Sequence, residues 1–348
     1  MDRIATGPAS DRRDLFTEAA GRLGMNPAIV EKDFWVCWIL KRLFSEPELQ
    51  GQMVFKGGTS LSKVYGLIDR FSEDIDLILD WRLLGYGLDE SGGHESAAVS
   101  RTRQSRFNEE MNAKAAGYIR GTLLGQLNQL LAAVPTVAAE IDPNDPHTVN
   151  VGYPAAFSAG YIRPQVRLEI GPLASWVPSS SRIIRSYAAE AFPQAFVDPT
   201  CTVVAIDAER TFWEKATILH QEVHRAAAIP ARYSRHYYDM YKLANSPIKN
   251  SALSDLALLK DVVEFKQRFY YSSWARYDLA RPGTFRLAPP ESQTSALARD
   301  YRAMREMFYR EPPEFGAIME GLAALESEIN DLKSAEEPVL SLPMNSKT

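Results

Sequence analysis

Cysteine is nearly missing from this 348-residue sequence, which has only Cys37 and Cys201, far apart and in no CxxC spacing. That excludes a disulfide framework and argues against a structural zinc site. Long apolar runs are missing as well. No stretch approaches the roughly 18 uninterrupted apolar residues of a membrane-spanning helix, and the amino-terminal MDRIATGPASDRRD is too charged to read as a secretory signal. The expectation is a cytoplasmic protein with no membrane partner. An excess of positive charge is also absent, since the formal net charge is −5, which excludes a protein that coats nucleic acid nonspecifically. The balance is uneven, however: residues 161–250 carry 11 Lys plus Arg against 8 Asp plus Glu, enough for a local anion site. Neither GxxxxGK followed by Ser or Thr nor GxGxxG occurs, so the two commonest glycine-rich nucleotide loops are excluded. There is no internal repeat and no low-complexity tract.

What is present is an ordinary globular composition, 45% hydrophobic and 24% charged, with length for about two domains. Asp11 to Leu23 reads as an amphipathic helix closed by Gly24. Asn26-Pro27 reads as the cap and first turn of a second helix that carries the aromatic EKDFWVCWILKRLF. Val54-Phe55 is a short apolar strand, SLSKVYGLI has a helical period up to Asp69, and DIDLILD alternates as a strand. A polar insertion at about 86–148 holds a helix near Phe107 to Leu131 and then the turn-rich DPNDPH. TVNVGYP, QVRLEIG and RIIRSYA read as further strands, and the pattern is helical from Asp207 onward. The expected plan is a mixed-sheet domain over 1–205 and a helical domain over 206–335, joined near Pro199 to Ala205, with a loose tail over 336–348.

The chemistry concentrates in FKGGTSLSKVYGLIDRFSEDIDLIL, Phe55 to Leu79. On a strand, Asp74 and Asp76 share one face while Ile75, Leu77 and Leu79 share the other. Two carboxylates side by side repel unless a cation sits between them, and a hard, oxygen-loving ion such as magnesium is the natural occupant. Upstream, Gly57-Gly58-Thr59-Ser60 forms a turn into a helix, where backbone N–H groups favour a phosphate. A nucleotide with its metal needs both. An EF-hand is a poor rival, because DIDLILDWRLLG places apolar residues in ligand slots. Either piece alone is ordinary, a solvated Asp-x-Asp or a plain turn; their coupling at helix-length separation gives the pattern its meaning.

GGTSLSKVYGLIDRFSEDIDL resembles the first motif of the AbiEii/AbiGii-type nucleotidyltransferase toxins, within the DNA polymerase β-like nucleotidyltransferase superfamily. EKDFWVCWIL, TFWEKATILHQEVHR, RHYYDMYKL, DYRAMREMFY and LESEIN resemble the same family, so the likeness covers most of the chain outside the insertion. It implies an α+β fold, a polymerase β-like mixed-sheet domain followed by a helical one. It implies Asp74 and Asp76 as metal ligands, and Gly57, Gly58, Thr59 and Ser60 as the triphosphate turn. It also implies a third carboxylate on a later strand. In QVRLEIG that is Glu169, which would reach the metal or pair with Arg167 on a wet face. The family places a lysine and an aspartate in its helical half, matched by Lys215 and Asp239. Asp239 has Arg235 and Lys242 on its own helix face as alternative partners. Lys63 and Arg70 would meet the triphosphate or solvate the surface. Ser72, two residues before Asp74, would lie at the mouth of the site or close a turn, and is a candidate for inhibitory modification by an antitoxin. His220 and His236 read as packing or solvent-facing residues, and Trp35, Trp38 and Trp213 as core.

The implied reaction is magnesium-dependent transfer of a nucleoside monophosphate from a nucleoside triphosphate to a hydroxyl, with manganese as the alternative ion. The implied setting is the toxin of a bacterial toxin–antitoxin or phage-defence pair with a cognate antitoxin, acting on RNA such as a tRNA 3′ end. Nucleotidylation of a protein or small molecule, and a non-catalytic nucleotide-binding protein of the same fold, are the alternatives.

Overall fold

Seven strands form one mixed sheet: β1 (Met53–Lys56), β2 (Asp74–Leu79), β3 (Ala138–Asp142), β4 (Asp145–Gly152), β5 (Gln165–Gly171), β6 (Ser179–Arg185) and β7 (Thr200–Ile206), in the order β3-β4-β5-β2-β1-β7-β6. A computed structural model describes residues 1–72, 74–87, 100–158 and 162–332 of the chain. β1 pairs antiparallel with β2 and parallel with β7, and β2 pairs parallel with β5; the remaining pairs are antiparallel. The central strands are apolar where they are covered: Met53, Val54 and Phe55 of β1 and Ile75, Leu77, Ile78 and Leu79 of β2 are all buried.

The helix Pro27–Ser45 supplies much of the core. Asn26 caps it by accepting from the Ala28 amide at 2.9 Å, and every residue from Ala28 to Leu40 is buried. Trp35 and Trp38 meet edge to face at 5.6 Å, and Trp35 stacks on Tyr153. Each such side chain removed from water contributes about 1.5–3 kcal/mol or more. The charges on this helix are satisfied rather than exposed: Glu31 accepts from the amides of Ala156 and Phe157 at 2.7 and 3.2 Å. The preceding helix, Ala9–Leu23, ends at Gly24 in the left-handed region, as its sequence suggests.

The chain divides into two compact units. The first holds Met1–Thr211 with Arg268–Tyr270 and Ala303–Pro312, and contains the whole sheet. The second holds Phe212–Gln267, Tyr271–Arg302 and the chain from Pro313, and its described elements are helical, among them Ser234–Ala244 and Phe315–Asp331. Three details depart from expectation. Pro199 to Ala205 is no linker, because β7 occupies it and lies inside the sheet between β1 and β6. The helix after the two glycines stops at Lys63, and Gly66 turns the chain at φ +61°. The polar insertion contributes sheet: DPND is the turn of a hairpin whose strands, β3 and β4, extend the sheet beyond β5. Residues 88–99 of that insertion and the expected loose tail lie outside the described residues. No described helix is long and apolar enough to cross a membrane.

Candidate active site

The register of the sheet assembles the site. Asp74 lies opposite Arg167 and Asp76 opposite Glu169 across the parallel β2–β5 ladder, while Lys56 of β1 lies opposite Asp76. On the far side of β5, Asn150 and Thr148 lie opposite Arg167 and Glu169. Partners across a ladder project to the same face, so these polar groups share one face of the sheet, as the alternation of DIDL and VRLEI requires. The opposite face is apolar, with Val166, Leu168, Ile75 and Leu77 all buried.

Arg167 holds the carboxylates of this face together. Its Nε lies 3.2 Å from Asp74 Oδ1, its Nη1 2.9 Å from Asp142 Oδ2 and its Nη2 3.6 Å from Glu169 Oε1. One planar fork therefore faces three acids, a geometry a lysine cannot reproduce. Asp142 is a member that the sequence reading did not find. It also accepts from Asn150 Nδ2 at 2.9 Å, and hydrogen bonds from Asn150 and the Asn144 amide, with the Arg167 charge, hold its carboxyl below the usual range. Glu169 moves the other way: burial first, then the charges of Asp74 and Asp76, push its carboxyl up against the opposing pull of Arg167. Excess negative charge is thus felt at the Asp76–Glu169 end of the face.

The glycine turn is built around these acids. Gly57 has φ +82°, and a Cβ there would lie 1.9 Å from Asp76 Oδ2, so only glycine lets the turn and the carboxylate coexist. A Cβ on Gly58 would lie 2.9 Å from Arg70 Nη2 and 3.2 Å from Ser72 Oγ. Gly57, Gly58, Arg70, Ser72 and Asp76 therefore gather at one spot, as the spacing suggested. Arg70 is buried there, its Nη1 donating to the Phe71 carbonyl at 3.2 Å. Three neighbours are turned elsewhere. The Thr59 hydroxyl donates to the Asp74 carbonyl, which pins the start of β2, and the Ser60 hydroxyl donates to the Gly57 carbonyl at 3.0 Å. Lys63 points into the interior, where it pairs with Asp33 at 2.8 Å and lies 3.7 Å from the Tyr187 ring centre. The side chains of Thr59, Ser60 and Lys63 thus brace the turn; they are not presented to a phosphate.

In the second unit Lys215, on the helix Ala208–Val223, meets Asp239, on the helix Ser234–Ala244, at 2.7 Å. Both side chains are nearly inaccessible, at 8% and 0%. Asp239 is thus met from a different helix, beyond the Arg235 and Lys242 alternatives on its own. His220 packs in the core, with Nε2–H donating to the Arg276 carbonyl and Nδ1 accepting from the Arg286 amide.

The candidate ligands on the sheet face, Asp74, Asp76 and Glu169, offer carboxylate oxygens, a set suited to a hard divalent ion. Among the described residues no three His, Cys, Asp or Glu side chains form a ready metal cage. Magnesium characteristically takes one or two carboxylates and completes its shell with water and substrate phosphates, so an acid pair beside a glycine turn suits it in donor chemistry.

The family model "Nucleotidyl transferase AbiEii toxin, Type IV TA system" matches residues 38–321. The chain belongs to this family. AbiEii proteins are nucleotidyltransferase toxins of type IV toxin–antitoxin systems. Among solved structures the chain is similar to MenT4, a nucleotidyltransferase toxin from Mycobacterium tuberculosis H37Rv, with a TM-score of 0.50, 17% identity, and 92% of this chain and 90% of that chain covered. At that identity the likeness shows the fold, which is the α+β nucleotidyltransferase fold expected. A comparison with curated protein sequences gives no match. The sequence reading missed Asp142, Asn150 and Lys56. The alternating TVNV run after DPND carried a signal for Asn150, Asp142 lies on a strand that its own residues do not announce, and Lys56 follows once β1 and β2 are paired.

Proposed function

We propose that this AbiEii toxin transfers a nucleoside monophosphate from a nucleoside triphosphate to a hydroxyl of RNA, with a tRNA 3′ end as the acceptor class, in the bacterial cytoplasm and in the service of phage defence. The observation that carries the reading is the glycine turn closed on Asp76 with Arg70 and Ser72 beside it. Asp74 and Asp76, with Glu169, would hold the magnesium ion, and manganese would be accepted on the same oxygens. When bound, that ion supplies the charge that neutralises the triphosphate and activates the attacking hydroxyl. The chain's own part is positioning. Gly57 and Gly58 let the Asp76 carboxylate and the Arg70 guanidinium pack against the turn, where triphosphate oxygens would meet the turn's backbone amides and the Arg70 charge. Arg167 holds Asp74 and Glu169 together on one side of the site. The acceptor hydroxyl gives its proton to a carboxylate of the face or to water as its oxygen bonds to the α-phosphorus, the bond to the bridging oxygen breaks, and pyrophosphate leaves with that electron pair. Lys215, paired with Asp239 within the second unit, matches the lysine that the family resemblance assigns to nucleotide phosphates.

The test is incubation of the full-length protein with each α-labelled nucleoside triphosphate and magnesium, together with total RNA or with cell protein. Label in RNA, concentrated in the tRNA fraction, is the expected result. Label in protein alone would replace the acceptor, and label in neither would leave only nucleotide binding.

A further inference from the structure

The sheet face continues past Asp76 and Glu169 into a cleft of about 280 Å³ within the first unit. Its position relative to the glycine turn is informative. Arg70 and Ser72 gather at Gly58, whereas the lining of the cleft follows Asp76, Leu77, Glu169, Ile170 and Gly171 toward the ends of β2 and β5. Lys56 projects from β1 on the same face as Asp76; Asn112 comes from the helix Arg101–Tyr118; His147 comes from β4; and Tyr270 comes from the short segment 268–270. Gly171 lines the floor at the end of β5, and a Cβ there would meet nothing within 4 Å.

These walls are held in place. His147 Nε2–H donates to the Asn112 carbonyl at 3.0 Å, which ties β4 to the insertion helix. Asn108 Nδ2 donates to the Phe269 carbonyl at 2.9 Å, Arg268 Nε donates to Gln104 Oε1 at 3.3 Å, and the Tyr270 hydroxyl donates to the Leu173 carbonyl. Tyr270 is nevertheless 50% exposed, an aromatic side chain fixed at the cleft wall and open to solvent. A fixed aromatic, an amide, an imidazole and an ammonium group around a volume at the small end of ligand clefts form a nucleoside-sized pocket. Unpaired bases are recognised by stacking on such rings with polar contacts to their edges, each stack contributing about 1–3 kcal/mol.

The geometry points to this cleft as the acceptor pocket, which receives the terminal nucleoside of a single-stranded RNA end with its ribose hydroxyl toward Asp76 and Glu169. The inference rests on the proposed RNA acceptor and adds where that acceptor sits. Tyr270 is the stacking residue, Asn112 and His147 line the wall on the insertion side of the base, and Lys56 meets the last phosphodiester. The insertion over 86–148 then has a function, since it supplies both Asn112 and His147 and the helix that positions Tyr270. A protein acceptor that presents one hydroxyl would have no use for a stacking ring at this distance from the acids.

The test measures transfer to a short single-stranded oligoribonucleotide with a free 3′ hydroxyl, with Michaelis constants determined separately for the oligonucleotide and for the nucleoside triphosphate. Tyr270→Ala is expected to raise KM for the oligonucleotide at least tenfold while KM for the triphosphate stays within twofold. Gly171→Leu fills the floor without removing a polar group and should do the same. In a second readout, anisotropy of the 5′-labelled oligonucleotide, both variants should bind at least tenfold more weakly than wild type, and a 3′-phosphate on the oligonucleotide should weaken binding to wild type. If wild type labels RNA and both variants keep the wild-type KM for it, the cleft assignment is wrong and the RNA reading stands. If wild type labels protein and no RNA, the underlying reading fails and the acceptor pocket falls with it.

Discussion

Replacing Gly57 by alanine perturbs one atom at a known distance from a proposed metal ligand. The added Cβ would lie 1.9 Å from Asp76 Oδ2 and 2.6 Å from its Cγ, where ordinary contact begins at 3.4 Å. Either the turn or the carboxylate must therefore retreat by about 1.5 Å, the difference between those two distances. The backbone adds its own strain, since φ is +82° and an L side chain in the left-handed region costs roughly 1–2 kcal/mol. At about 2–4 °C per kcal/mol for a unit of this size, thermal unfolding should fall by roughly 2–8 °C. Activity should suffer more. Displacing a catalytic group by about 1 Å costs on the order of a hundredfold, equivalent to about 2.7 kcal/mol of transition-state stabilisation. Gly58→Ala is the control: its Cβ meets the end of the flexible Arg70 side chain at 2.9 Å, which can yield, so the loss should be smaller and fall on KM for the triphosphate. The assay is label transfer from an α-labelled nucleoside triphosphate, normalised to folded protein. Gly57→Ala with a lowered melting temperature but wild-type kcat/KM per folded molecule would refute a role for Asp76 in the chemistry.

Asp74→Asn and Asp76→Asn should each lose several orders of magnitude in turnover with circular dichroism unchanged. Asp74→Asn should bring no gain in stability, because Arg167 already lies 3.2 Å from that carboxylate and offsets its repulsion; a clearly raised melting temperature would contradict the clamp. Lys215→Met strands the buried Asp239 carboxylate and should cost about 3–5 kcal/mol, while Lys215→Met with Asp239→Asn should recover most of the stability in urea titrations but not the turnover. Recovery of turnover as well would make the pair purely structural. Burial holds His220 down at about 4 from an ordinary 6.5, so between those values the unfolded chain binds the extra proton and stability falls as pH falls. Its share between pH 7.5 and 5 is about 2 kcal/mol, and His220→Asn should reduce the pH slope of unfolding free energy by that amount, whatever its effect at neutral pH. Ser72→Asp places a negative charge where Ser72 Oγ adjoins Gly58 and should abolish nucleotide binding at low ionic strength, whereas Ser72→Ala retains substantial activity; an active Ser72→Asp enzyme would rule out inhibitory modification there.

The central strands and the long buried helix were legible because their signals are local. DIDLIL alternates, MVFK is a short apolar run before two glycines, and Asn26-Pro27 is a cap that needs no tertiary partner to be recognised. β7 was misread as a joint because TCTVVAI follows a proline and precedes a helix, and nothing in its own residues says that it inserts beside β1. AAEID was missed for a related reason. Its alanines carry little strand preference, and it is a strand because DPND folds it back on TVNV and the pair docks on β5. Tertiary pairing decides such segments, and pairing is not written in a window of five residues.

The same distinction divides the site. Asp74, Asp76, Gly57 and Gly58 could be brought together from sequence because they lie on β2 and at the end of β1, two strands that pair. Lys63 was misplaced because proximity in sequence to a phosphate turn says nothing about side-chain direction. It sits on the last residue of the helix Gly57–Lys63, where its ammonium group reaches back to Asp33 at 2.8 Å in the core. Asp142 was invisible for the opposite reason, being 25 residues from Arg167 and reaching it only through the hairpin and two strand registers. Arg167 is the residue through which these separate contributions act together. Its fork spans β2, β3 and its own strand, so the orientation of Asp74 depends on an insertion that carries none of the family's catalytic acids. A sequence motif can name the acids; what aims them is the sheet.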